Sequence, residues 1–144
     1  MTTVLSPRLA VWRTIVAPED GSSVRDPSAP LFSAADGHWH FWATHIEGSR
    51  IGYLGRVWHY YARDIAGPWN TTGVAVPPSG GCTAFDAFST FTPTALFDPE
   101  ESVWWLFYGG IVDNSSAHRE SIGLASSSSP FGPFVKHQIG RAHV

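Results

Sequence analysis

Val24-Arg25-Asp26-Pro27-Ser28-Ala29-Pro30-Leu31-Phe32 opens an apolar strand and sets a carboxylate at its entrance. A stretch of the same shape, Phe91-Thr92-Pro93-Thr94-Ala95-Leu96-Phe97, recurs downstream, and Leu96 lies 65 residues after Leu31. At that offset, without a gap, Trp39 falls on Trp104, Phe41 on Leu106 and Trp42 on Phe107. Gly67-Pro68-Trp69 falls on Gly132-Pro133-Phe134 at the same 65. A self-match that runs from strand start to closing turn marks two copies of one structural unit.

Each copy has a run ending in Leu-Phe and an acidic turn (Asp36-Gly37; Pro99 to Ser102). An aromatic run, a polar loop, a third apolar run and a Gly-Pro-aromatic turn follow. Trp, Phe, Tyr and Val between turn residues spell short antiparallel strands. They are expected at Ala29–Phe32, Trp39–Thr44, Val57–Ala62, Ala95–Phe97, Val103–Tyr108 and Ile122–Ser126. No window sustains apolar residues at i, i+3, i+4 and i+7, so no helix is expected. The fold class is all-β. Three or four strands per repeat of this length read as a blade of a β-propeller; the competing architecture is a β-sandwich whose halves match by accident.

Organisation follows from the repeat. Residues 1–23 form a lead-in, with Leu9–Trp12 and Thr14–Val16 as material for one more strand. Residues 24–76 form blade 1, 77–90 a linker opened by Pro77-Pro78-Ser79-Gly80-Gly81, and 91–138 blade 2. A propeller closes with about four to eight blades, so two blades in 144 residues read as a fragment of a longer protein. Ile139 to Val144 matches one translated frame of a common sequencing adapter and is set aside as a tail.

Composition narrows the function. A 43% hydrophobic, 15% charged chain is globular rather than disordered. A net charge of -3 with no basic patch argues against a nucleic-acid partner. No run approaches the roughly 18 apolar residues of a membrane span, and the N-terminus shows no signal peptide. Cys82 is the only cysteine, which excludes an intrachain disulfide and a Cys-based zinc site. No His pair has metal-motif spacing, and no cofactor is called for.

Arg25-Asp26-Pro27-Ser28 ahead of an aromatic strand resembles the first blade of the five-bladed propeller glycoside hydrolases, families 43 and 117. Phe85-Asp86-Ala87-Phe88-Ser89-Thr90-Phe91-Thr92-Pro93, then Trp105 to Tyr108, resembles their second blade, nearer family 117. Ile122 to Phe134 is similar to the strand and turn that end such blades. The resemblance covers Val24 to Phe134. It implies hydrolysis of plant or algal poly- or oligosaccharides, with Asp26 as general base. It also implies a general acid on a later blade, among C-terminal blades that this chain lacks. Two carboxylates flanking the glycosidic bond are what that chemistry needs.

The pattern departs at Thr94, where family 43 carries an acidic residue that tunes the acid. Asp86 is the nearest replacement, as a substrate contact or as a loop cap. Thr94 and His45 are further candidate sugar contacts. Arg25 need not be the partner of Asp26, since adjacent strand residues face opposite ways. His38, His40 and His59 read as surface or packing residues, His118 as exposed, and Glu100, Glu101 and Asp113 as solvated turn residues. The alternative to an enzyme is a non-catalytic glycan-binding or protein-interaction propeller.

Overall fold

The computed structural model describes residues 14–18, 21–48, 55–113 and 120–137. Leu9–Trp12, His118 and the tail from Ile139 to Val144 lie outside them. Nine strands run β1 (Ser23–Arg25), β2 (Leu31–Ser33), β3 (His38–Ile46), β4 (Arg56–Ala62), β5 (Asn70–Val76), β6 (Ser89–Asp98), β7 (Val103–Ile111), β8 (Glu120–Ser127) and β9 (Val135–His137). All pair antiparallel in two sheets. The first runs β1-β3-β4-β5, with β2 also on β3, and the second runs β6-β7-β8-β9. Two antiparallel meanders stacked in chain order, the first with its innermost strand split into β1 and β2, are two neighbouring propeller blades.

The six expected strands are present, and three more appear. β5 and β9 form the outer edges of the blades. β5 is Thr- and Gly-rich and β9 has three residues, so neither carries a strong apolar pattern. β1 supplies the first half of the innermost strand of blade 1. β6 starts at Ser89, inside the stretch read as linker. Thr14–Val16 does not add a strand: residues 14–18 are irregular, and Val16 lies over Phe41, Ala43 and Tyr60 on a sheet face instead of pairing at an edge.

The registers repeat the sequence offset. Leu31 pairs with His40 and Leu96 with Trp105; Trp39 pairs with Ala62 and Trp104 with Ser127. Side chains alternate across a sheet, so equal registers put equivalent residues on equivalent faces. Blade 1 turns Trp42, Val57 and Val76 toward blade 2, which returns Trp104, Leu106, Tyr108 and Ala125. Trp42 lies 5.9 Å from Trp104 and 5.8 Å from Phe134, ring centre to ring centre. A buried residue of that size is worth about 3–5 kcal/mol against truncation to alanine. Hydroxyls staple the seam. Val57 N–H donates to Thr90 Oγ1, which donates to Val76 C=O at 2.6 Å, and Ser89 Oγ donates to Gly55 C=O at 2.7 Å.

The seam also holds a polar chain. Asp36 Oδ1 meets His40 Nε2 at 3.1 Å, His40 Nδ1 meets His59 Nε2 at 3.0 Å, and His59 Nδ1 meets Thr72 Oγ1 at 3.0 Å. Both imidazoles are buried, His40 against Trp104 and Phe131 of blade 2 and His59 against Phe131, so His40 and His59 are packing residues. An ionised carboxylate only accepts, which fixes the tautomers: His40 donates to Asp36, His59 to His40, and Thr72 to His59. Burial on its own raises the Asp36 carboxyl, but hydrogen bonds from His40, Ser33 and His38 outweigh it and hold it below its ordinary value. Burial lowers His40 against the pull of Asp36. Burial, reinforced by His40, takes His59 down to about 3.

Two consequences can be measured. The folded chain binds fewer protons at these histidines than the unfolded chain does, so their contribution is full above about pH 6.5 and falls away below it, for His59 down to about 3. Each tenfold change in proton affinity is worth about 1.4 kcal/mol, so stability from urea unfolding should be about 3 kcal/mol lower at pH 4 than at pH 7. His59→Leu, which copies Leu124 at the equivalent position of blade 2, should remove most of that slope; an unchanged slope would refute the assignment. The second consequence concerns the far face of blade 2, where Leu96, Phe107, Ile122 (68% exposed) and Val135 stand uncovered. A contiguous apolar sheet face drives association, so the chain should self-associate in light scattering. Ile122→Lys with Val135→Lys should shift it toward monomer, and a sharp monomer peak for the unmodified chain would count against this.

Candidate functional site

Between β1 and β2 the chain leaves the ladder for five residues, Asp26 to Pro30, and Pro27 and Pro30 have no N–H to give to it. Ser28 pins this detour to β3. Its N–H donates to Trp42 C=O at 2.8 Å, and its hydroxyl accepts Trp42 N–H at 3.1 Å. Asp26 turns the corner in left-handed backbone, φ 51°, which costs a non-glycine residue about 1 kcal/mol or more. Blade 2 repeats the device. Phe91 pairs with Gly109 as Arg25 pairs with Thr44, and the next residue, Thr92, is also left-handed, φ 43°. Blade 2 needs one residue fewer to reach Leu96, so the repeat offset is 66 at this corner and 65 beyond it. The counterpart of Asp26 is therefore Thr92. Thr94 lies two residues on, back in the ladder and paired with Phe107.

The two corners meet at Thr44. Thr92 N–H donates to Thr44 Oγ1 at 2.8 Å, and Thr44 Oγ1 lies 3.5 Å from Asp26 Oδ2. Arg25 Nε approaches the same Oδ2 at 3.3 Å. That corrects the expectation that Arg25 and Asp26 face apart: alternation holds in a regular strand, and Asp26 sits one residue past the end of one. The Asp26 side chain is 40% exposed, so a guanidinium and a hydroxyl hold the carboxylate on one side while solvent reaches it on the other.

Asp86 is placed differently. It is 1% exposed, and its Oδ2 accepts from Lys136 Nζ on β9 and from Tyr108 Oη at 3.0 Å. Lys136 also donates to Pro77 C=O and to Ser79 Oγ, tying the linker to the outer edge of blade 2. Burial alone would raise the Asp86 carboxyl, but hydrogen bonds from Lys136, Ser79 and Tyr108 and the Lys136 charge bring it below its ordinary value. The loop fits because β7 is bare beneath it: a Cβ on Gly110 would stand 2.5 Å from Asp86 Cβ. Thr94 is exposed on β6. His45 stacks on Trp58 at 3.9 Å, and its Nδ1 lies 3.0 Å from Tyr60 Oη. Burial lowers His45 and raises Tyr60 to about 12. His45, Trp58 and Tyr60 line a cavity of about 530 Å³ with Val16, Trp69 and Asn70, on the face of blade 1 away from blade 2.

Asp26, Thr44 and Thr92 are thus brought together; Asp86 and His45 have other partners, and Thr94 stands nearby in sequence. Sequence reasoning missed Ser28, Thr44 and Thr92, whose roles rest on pairings across strands and blades. Among the described residues no three His, Cys, Asp or Glu side chains form a metal-binding group.

No family model and no curated protein matches the chain. Solved structures do. The family 117 glycoside hydrolase Zg3597 of the marine bacterium Zobellia galactanivorans matches with a TM-score of 0.70 at 21% identity over 84% of this chain and 40% of its own. The exo-β-1,3-galactanase of Phanerochaete chrysosporium, solved with β-1,3-galactotriose, matches at 0.55, 17% identity, 81% of this chain and 24% of its own. A family 43 enzyme of Xanthomonas citri, solved with xylotriose, matches at 0.57, 16% identity, 79% and 32%. The chain has the fold of part of these propellers and spans 40% of the length of Zg3597.

The Asp86 pair generates its own test. Lys136→Met would leave a buried carboxylate without its cation and should cost about 3 kcal/mol, the low end for a broken buried pair because Lys136 is a quarter exposed. A denaturation midpoint within error of the parent would show that Asp86 is not held this way.

Proposed function

We propose that the chain forms the first two blades of a longer five-bladed glycoside hydrolase acting on plant or algal poly- or oligosaccharides, with Asp26 as its general base. One observation carries this reading. Asp26 and Thr92 hold matching strained corners partway along adjacent innermost strands, and only the first carries a carboxylate open to solvent. Backbone strain persists where surrounding structure over-determines it, and such residues cluster at functional sites. A base at this corner removes a proton from water as the water attacks the anomeric carbon, while a second carboxyl protonates the leaving oxygen. On this reading the second carboxyl comes from a later blade. Arg25 gives the Asp26 carboxylate a counter-charge and leaves its other side to water. Thr94 and His45 are proposed sugar contacts, Thr94 through its exposed hydroxyl on the innermost strand of blade 2. Asp86, committed to Lys136, would act by shaping the linker loop instead of touching sugar.

A second reading has its own support. With Thr94 in the place of an acidic residue and Asp86 engaged elsewhere, the charge that would tune an acid is missing from blade 2. This favours a propeller that binds glycans without cleaving them. Extending the gene sequence beyond Gln138 separates the two, because hydrolysis requires a Glu or Asp at a later strand entrance. In the full-length protein Asp26→Asn keeps size and one acceptor but loses the charge. It should lower kcat by about 10²–10⁴-fold while glycan affinity, measured calorimetrically, stays within a few-fold. Retained turnover in Asp26→Asn would rule the base assignment out.

A further inference from the structure

Thr44 is a fully buried polar residue on β3, opposite Arg25 on one side and Val57 on the other. Its methyl is seated over Gly55, where an added Cβ would come within 2.4 Å of Thr44 Cγ2. With the methyl so placed the side chain has one orientation. A hydroxyl has one proton and two lone pairs. A lone pair takes the Thr92 N–H of blade 2 at 2.8 Å. The proton is then free for Asp26 Oδ2 at 3.5 Å, a separation at the long end of a hydrogen bond, as is common for catalytic contacts before substrate binds.

The repeat shows that blade geometry does not demand this hydroxyl. The equivalent position in blade 2 is Gly109, over which the Phe91 ring lies: a Cβ there would come within 2.6 Å of that ring.

We infer that Thr44 is the positioning residue for Asp26: it aims one proton at the carboxylate and sets that aim by the position of the blade 2 backbone. Thr44 touches neither water nor sugar in this scheme. Its two partners are the two strained corners, so a base on blade 1 takes up its working orientation only when blade 2 is docked. The inference rests on Asp26 being the general base.

The test uses the full-length protein on xylotriose and β-1,3-galactotriose. Thr44→Val keeps the shape and removes the hydroxyl. It should lower kcat about 10-fold with KM within about twofold, and move the acid limb of kcat/KM to higher pH, since that limb reports the base of the free enzyme. Thr44→Ser returns the hydroxyl and should restore kcat to within about threefold, with the acid limb back in place. A purely structural role would change the amount of folded enzyme without moving that limb. If Thr44→Val does not fold, the serine variant decides alone: a folded Thr44→Ser enzyme with a displaced acid limb and a 10-fold loss overturns the inference. Normal kcat and an unmoved limb in folded Thr44→Val also overturn it, provided Asp26→Asn is inactive. Turnover by Asp26→Asn would instead remove the base assignment on which the inference stands.

Discussion

A blade has two faces, and in this chain only one face of each blade can be buried against the other. The Trp42–Trp104 seam is that burial, and the rest of the structure is arranged by it. It orders the sheets, since equivalent registers in both copies turn Trp42 and Val57 of one against Leu106 and Tyr108 of the other. It also brings the innermost strand of blade 2 alongside β4 and β5, where Ser89 and Thr90 close the backbone groups of Gly55, Val57 and Val76. The two strained corners interrupt the innermost strands beside that contact. Asp26 and Thr92 are neighbours because the seam is packed, and no local feature of either strand would have made them so.

The same seam accommodates a buried polar chain that the second copy does without. Asp36, His40 and His59 correspond to Glu101, Trp105 and Leu124. Replacing an imidazole pair by apolar residues is compatible with the blade, so the chain is a feature of this seam and not a requirement of the fold. A fully connected network avoids the cost of unpaired buried groups. Here each donor finds one acceptor from Thr72 to Asp36. Its weakness is that an added proton must displace a tautomer that Asp36 fixes from one end.

Much of the fold was legible because it is written twice. A 65-residue offset in sequence becomes a 65-residue offset in register from Leu31 to Ala62 and from Leu96 to Ser127. What the sequence hid are the places where the copies differ in length or where partners are far apart. Strand alternation predicted that Arg25 and Asp26 would point apart, and it failed because the strand ends at Arg25. The 65-residue offset sets Asp26 on Phe91, and one residue of difference in the detours makes Thr92 its counterpart. Asp86 read equally well as a sugar contact or a loop residue; Lys136, 50 residues away, takes its carboxylate. Ser28, Thr44 and Thr92 carry no sequence signal, since what distinguishes them is a bond across the sheet or the seam.

The resemblance in sequence and the likeness in structure bear on different questions. Arg25-Asp26-Pro27-Ser28 pointed to a base, whereas identities of 16 to 21% establish the fold alone. The link between them is conformational. A carboxylate in a regular strand would lie flat against a neighbour or be shielded by the next blade. Lifting Asp26 out of the ladder costs backbone strain and two prolines' worth of hydrogen bonds, and Ser28 offsets part of that by bonding Trp42 in both directions. Blade 2 makes the same lift with a threonine and needs no carboxylate to do it. The corner is therefore a property of the repeat, and what it presents to solvent is free to vary. The acid on the first copy is the part that asks for a chemical explanation.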